Sequence, residues 1–270
     1  MDINHKDIFG ILHLEKTDPK HQIILHQDFL WKASDKIIFS EDTISITLSE
    51  CFNKSIDTLN LPPSLQTINF GVDFNKSIDN VKFPSNLQNI IFGVCFDQDI
   101  SNVKFPPNLK TIKFGTHFNQ SLFHVKFPNS ITSLTFGHNF NCSLPTLPTN
   151  LESIKFGTNY NKPIHELSRC TNLQSIELDH EFNQPLDYLK SLTNLKQLTL
   201  DYHFNQSLNN LPHSIEQLTL YRVLPQHITN LPMSLKQLKL KGMLISQAYI
   251  NELKLPYGCK LYNKYTEIKL

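Results

Sequence analysis

The 270-residue sequence predicts a mainly β protein, a parallel solenoid of short strands stacked at a period of about 22 residues. Three observations predict it. An aromatic residue followed by Asn or Asp recurs at Phe52-Asn53, Phe74-Asn75, Phe96-Asp97, Phe118-Asn119, Phe140-Asn141, Tyr160-Asn161, Phe182-Asn183 and Phe204-Asn205, in steps of 22 residues with a single step of 20 between Phe140 and Tyr160. Just ahead of these pairs, apolar and polar residues alternate, as Ile68 and Phe70 do around Asn69, which is the pattern of a strand with one buried face. Each pair is followed by a polar return, with Pro62, Pro84, Pro106 and Pro128 at one position, where proline blocks helix and has no ladder N–H to lose. One unit cannot bury its own Phe and Leu side chains, whereas stacked units share a continuous core.

Taken in chain order, residues 1–36 read as an N-terminal cap, with Ile8, Ile11, Leu12 and Leu14 on one helical face and Phe29, Leu30 and Trp31 over the first coil. The array is expected over residues 37–244. Ile37 and Phe39 lie 22 residues ahead of Leu59 and Leu61, and Ile46 to Leu48 matches Ile68 to Phe70. The last two units carry Leu224-Pro225 and Met243-Leu244 in place of the aromatic pair. Residues 245–270 break the pattern and read as a C-terminal cap over an exposed sheet edge.

Composition narrows the function classes. Twenty-five Lys and Arg against 24 Asp and Glu provide no excess of positive charge for nucleic acid or an anionic membrane surface. A 40% hydrophobic content is too high for a disordered chain, and its apolar runs are too interrupted for a membrane span. The opening MDINHKDIFGILHLEK does not read as a signal peptide, and five cysteines without a CxxC pair suit free thiols. Both point to the cytoplasm. With only Ala33 and Ala248 as alanines, an all-helical reading is weak.

The repeated LxxLxFGxxFNxxL pattern resembles the FNIP repeat, a leucine-rich-repeat-like family of social amoebae and of giant viruses that infect amoebae. The resemblance covers about residues 43–244, with departures at Ser55, Ser77, Pro163 and Pro185 and with Leu in place of the strand Phe from Leu178 onward. It implies a leucine-rich-repeat-like solenoid, and the host's cytoplasm as the location of a viral chain. Many members join such an array to an N-terminal F-box, which would imply substrate recognition for a ubiquitin ligase. Residues 1–36 contain DIFGIL but lack the Leu and Trp pattern that an F-box continues over about forty residues.

The repeated polar residues have structural readings. Asn53, Asn75, Asn119, Asn141, Asn161, Asn183 and Asn205 are expected to turn inward as a ladder, each amide bonding turn backbone and its equivalent one coil away. Five of them begin Asn-x-Ser sequons, which the missing secretory signal and the expected inward orientation argue against as glycosylation sites. Gly71, Gly93, Gly115, Gly137 and Gly157 mark a positive φ or a close approach of the next coil. His117 with His203, and His138 with His180, share positions in coils too far apart to meet one metal ion. No catalytic motif, metal set or cofactor site is visible.

What remains is the open face of the sheet. Its outward residues Thr67, Asn69, Asn89, Ile91, Thr111, Lys113, Ser133, Thr135, Ser153, Lys155, Ser175 and Glu177 are the candidate docking surface for a protein partner. The expected molecule is a monomeric, non-enzymatic interaction scaffold that binds neither nucleic acid nor membrane.

Overall fold

Each coil commits one short segment to the sheet because a single large aliphatic side chain, flanked by outward-facing residues, can be buried from one side only. The computed structural model describes residues 22–26, 37–221, 228, 230–242, 246–263 and 266–268. Among them, 13 strands form one sheet in chain order. They are β1 (Gln22–Leu25), β2 (Ser45–Leu48), β3 (Thr67–Asn69), β4 (Asn89–Ile91), β5 (Thr111–Lys113), β6 (Ser133–Thr135), β7 (Ser153–Lys155), β8 (Ser175–Leu178), β9 (Gln197–Leu200), β10 (Gln217–Leu220), β11 (Gln237–Leu240), β12 (Lys260–Asn263) and β13 (Thr266–Ile268). All neighbours pair in parallel except β12 and β13. The central residues Ile46, Ile68, Ile90, Ile112 and Leu134 are paired in register and wholly buried.

Equal coil lengths turn the repeated aromatics into columns. Phe70, Phe92, Phe114, Phe136 and Phe156 stack with neighbouring ring centres 5.0 to 5.6 Å apart. The Phe of each Phe-Asn pair forms a second column, from Phe52 to Phe204 with Tyr160 in sequence, spaced 5.8 to 6.5 Å. Such ring pairs contribute roughly 0.5–1.5 kcal/mol beyond area burial. Tyr160 fits the column at the cost of a buried hydroxyl without a hydrogen-bond partner among the described residues, and burial pushes its pKa upward. From Leu178 onward, Leu178, Leu200, Leu220 and Leu240 fill the first column with aliphatic packing.

The prolines of the return still accept hydrogen bonds. Leu65, Leu87, Leu109 and Ile131 donate their N–H groups to the carbonyls of Pro62, Pro84, Pro106 and Pro128 at 3.1 to 3.2 Å, closing each turn into the next strand. Two returns instead contain short 3-10 turns, His165–Arg169 and Asp187–Ser191.

The sheet extends beyond both expected array limits. At the start, β1 lies within residues 1–36 and pairs with β2 at a 23-residue offset. Gln22-Ile23-Ile24-Leu25 alternates as β2 does, but no Phe-Asn pair follows it. At the other end, β12 adds a parallel strand to β11 across a 23-residue segment that contains helix α1 (Gln247–Glu252). The Ser246 hydroxyl accepts from the Tyr249 N–H at 3.2 Å to cap that helix. β13 then turns back antiparallel on β12 and pairs along its outer edge. The expected helical face at Ile8, Ile11, Leu12 and Leu14, the packing of Phe29, Leu30 and Trp31, and the pairs Leu224-Pro225 and Met243-Leu244 lie outside the described residues.

Candidate binding face

The outward strand residues form two parallel rows because in-register pairing places equivalent positions side by side. Thr67, Asn89, Thr111, Ser133, Ser153 and Ser175 make the first row, all half-buried. Asn69, Ile91, Lys113, Thr135, Lys155 and Glu177 make the second, with the two lysines exposed. Side chains join across strands: Asn89 Nδ2 donates to Thr67 Oγ1 at 3.1 Å, Asn69 Nδ2 donates to Thr47 Oγ1 at 3.3 Å, and Lys155 pairs with Glu177.

A trough of about 610 Å³ runs beside the second row. Ile91, Lys113, Thr135 and Lys155 line one wall, whereas the first row, Asn69 and Glu177 lie outside it. The glycine row and the residues after it, including Val72, Val94 and Thr116, line the rest. Close approach explains these glycines: a Cβ on Gly93 would sit 1.9 Å from the Gly71 carbonyl oxygen, and one on Gly115 would sit 1.6 Å from that of Gly93. Positive φ is not involved, being confined among the described glycines to Gly242 and Gly258.

The asparagine row differs from expectation in its orientation. Each Oδ1 accepts the backbone N–H of the equivalent residue one coil later, in an unbroken series from Asn53 to Asn205 at 2.9 to 3.1 Å. These side chains lie at the surface, exposed or half-buried, and not between the Phe and Leu/Ile positions that flank them. Turn backbone does not alternate sides as a strand does, so buried neighbours do not bury the residue between them. Asp97 serves as a rung because only the acceptor oxygen is used. Gln98, Gln120, Gln184 and Gln206 donate to the same oxygens, doubling several rungs.

A second polar row escaped the sequence reading. The residue before each strand-entry Leu or Ile is Asn or Ser, and Asn86, Asn108, Asn150, Asn172 and Asn194 donate Nδ2 to a carbonyl of the preceding coil at 2.9 to 3.3 Å. Ser64, Ser130, Ser214 and Ser234 do the same through Oγ. Its signal was the recurring Asn-Leu or Ser-Leu pair.

At the last coil of the trough and in the coil after it, where Asp179 and Asp201 take the glycine place, the coil corners become polar. Burial first, then the hydrogen-bonded carboxyl of Asp179, push Asp201 up to about 6. Beside them His180, Glu181 and His203 come together, with His180 Nδ1 3.0 Å and His203 Nε2 4.0 Å from Glu181 Oε1. Comparing histidines only at identical positions missed this meeting of adjacent positions in adjacent coils. The five cysteines are free, and burial pushes Cys170 up to about 11. Among the described residues no helix is long and apolar enough to cross a membrane.

A family model described as FNIP Repeat matches residues 52–95, 74–117 and 118–145. Among solved structures, the chain is similar to CroV588, a circular leucine-rich-repeat protein, at 25% identity and a TM-score of 0.46, over 93% of this chain and 47% of that one. It therefore spans about half the length of CroV588. It is also similar to an internalin, InlF, of Listeria monocytogenes, at 18% identity and a TM-score of 0.58, over 84% of this chain and 68% of the internalin. A leucine-rich-repeat protein of Leptospira interrogans aligns at 14% identity and a TM-score of 0.29, over 89% of each chain. No curated protein matches in sequence. The internalin likeness is one of fold, a leucine-rich-repeat-like parallel solenoid.

Proposed function

We propose that this chain, an FNIP-repeat protein folded as a leucine-rich-repeat-like solenoid, is a non-enzymatic scaffold that binds another protein along the trough of its open face. The observation that carries the reading is the continuity of that trough across successive coils, from Thr47 to Asp179. Its glycine backbone, phenylalanine edges and mixed polar lining, with Lys113 and Lys155 on one wall and Glu50 and Asp179 in its first and last coils, suit an extended polypeptide segment laid across the strands. They do not form the convergent acid, base and nucleophile that a reaction centre needs. Lys113, exposed on the wall and without an ion pair among the described residues, favours a segment with a carboxylate at that point. The docking surface extends over the rest of the predicted face, Thr67, Asn69, Asn89, Thr111, Ser133, Ser153, Ser175 and Glu177, as a polar rim. The free thiols support a reducing, cytoplasmic setting.

Affinity capture from the native cell, quantified for wild type and variants, tests this. Thr135→Arg and Val94→Arg project a long charged side chain into the trough and should abolish capture of the partner without altering the melting temperature. Phe123→Ser, on an exposed return position away from the sheet, should leave capture intact. Equal capture by all four proteins would refute the trough as the site. Recovery of a ubiquitin-ligase adaptor that depends on residues 1–36 would replace this reading with that of a substrate-recognition subunit.

A further inference from the structure

The coil repeat places residues 22 apart directly beside each other, and after β8 and β9 this has a chemical result. Glu181 and His203 are equivalent residues of adjacent coils, as are His180 and Tyr202 and as are Asp179 and Asp201. The His180 and Tyr202 rings stack with centres 5.4 Å apart and planes 3° from parallel. His203 donates its backbone N–H to the His180 carbonyl at 3.1 Å, which fixes the two coils against each other. The imidazole centres of His180 and His203 are 4.5 Å apart.

We propose that His180, Glu181 and His203 form a binding site for a divalent transition-metal cation of the zinc class, clipping the two coils together. One ligand atom from each residue lies within 4.8 Å of the others. Zinc bonds of about 2.0–2.1 Å in tetrahedral geometry place ligand atoms about 3.3 Å apart. The observed 3.0 Å and 4.0 Å separations from Glu181 Oε1 straddle that value, so small side-chain rotations seat the ion. Two imidazoles and one carboxylate select zinc, nickel, cobalt or copper over magnesium and calcium, which favour all-oxygen sites. The side chains are 42%, 50% and 50% exposed, so an ion enters without opening the coil, and water completes its coordination. On binding, the proton linking His180 Nδ1 to Glu181 Oε1 is released to solvent and the metal takes its place. The site adjoins the trough at Asp179 but shares no residue with the trough's lining.

The test is calorimetric titration of the whole chain with Zn²⁺ alone, together with melting temperatures with and without the ion. Wild type should bind saturably and melt at a higher temperature with Zn²⁺, because the ion binds only the folded arrangement. His203→Ala and Glu181→Gln should each weaken this binding by at least about tenfold, the loss that even an outer-shell change can bring. His138→Ala, an exposed histidine outside the cluster, should leave it unchanged. Circular dichroism of the metal-free variants checks that they fold; Glu181→Gln preserves shape and serves if His203→Ala does not. Absence of saturable binding, or undiminished affinity in the folded variants, as binding at surface thiols such as Cys51 would produce, overturns the proposal.

Discussion

Asn119 is a link in a side-chain chain on the surface, and its consequences are modest but sharp. Its Oδ1 accepts from the Asn141 N–H at 2.9 Å, while its own N–H donates to Asp97. Asn119→Leu removes the acceptor of an N–H on the half-buried Asn141 and should cost roughly 0.5–1.5 kcal/mol in denaturant unfolding, below the penalty of a fully buried orphan. Asn119→Asp retains an acceptor, as Asp97 does naturally, and should stay within about 0.5 kcal/mol of wild type. If the leucine and aspartate variants unfold alike, the rung contributes nothing. The row itself was legible because Phe-Asn recurs at a constant period. Its outward orientation was not, because a residue between Phe118 and Leu122 in a turn has no strand-like alternation to reveal which way it points.

At the level of the element, the corner after β8 and β9 exchanges the tight glycine packing of earlier coils for paired carboxyls. Asp201 ordinarily titrates near 3.8 and here near 6, raised first by burial and then by Asp179, with His180 opposing the shift. Between those values the folded chain holds a proton that the unfolded chain has lost, so Asp201's contribution to stability declines as pH rises from about 4 to 6. Asp201→Asn removes that burden. Measured with a chelator present, its melting temperature relative to wild type should be higher at pH 7.5 than at pH 4; a difference independent of pH would show that Asp201 does not titrate in this window. Strands β2 to β11 were legible in the alternating pattern, whereas β1 and β12 were hidden by 23-residue offsets and by the lack of an adjoining Phe-Asn pair. The His180, Glu181 and His203 cluster was hidden for a related reason, since its two histidines are not equivalent in the repeat: His203 is the counterpart of Glu181, and His180 stands one position earlier.

For the whole molecule, stability is close to a sum over neighbouring coils, because each coil touches mainly the one before and the one after. Deleting residues 97–118 joins Phe96 directly to Asn119 and leaves the 22-residue spacing intact. The shortened chain should fold with the same sheet-dominated circular dichroism per residue and a somewhat lower denaturation midpoint, having lost one coil interface. Deleting residues 97–107 instead leaves half a coil and should abolish cooperative unfolding. Equal behaviour of the two deletions would contradict nearest-neighbour stacking. The interior of the array already tolerates length change in its loop, since Phe140 and Tyr160 are 20 residues apart yet their rings remain parallel to 1°.

Every rung of the asparagine series points the same way, acceptor in the earlier coil and donor in the later, so the amide dipoles add along the axis. The solenoid thus has a head and a tail in an electrical sense. At Asn205 the side chain of Gln206 donates to that Oδ1 at 3.1 Å, and the equivalent position of the next coil in the sequence is Pro225, which has no N–H to offer it. Two such asparagine series joined head to tail, the Asn205 end to the Asn53 end, would propagate one polarity. Fused head to head, they would set donor against donor.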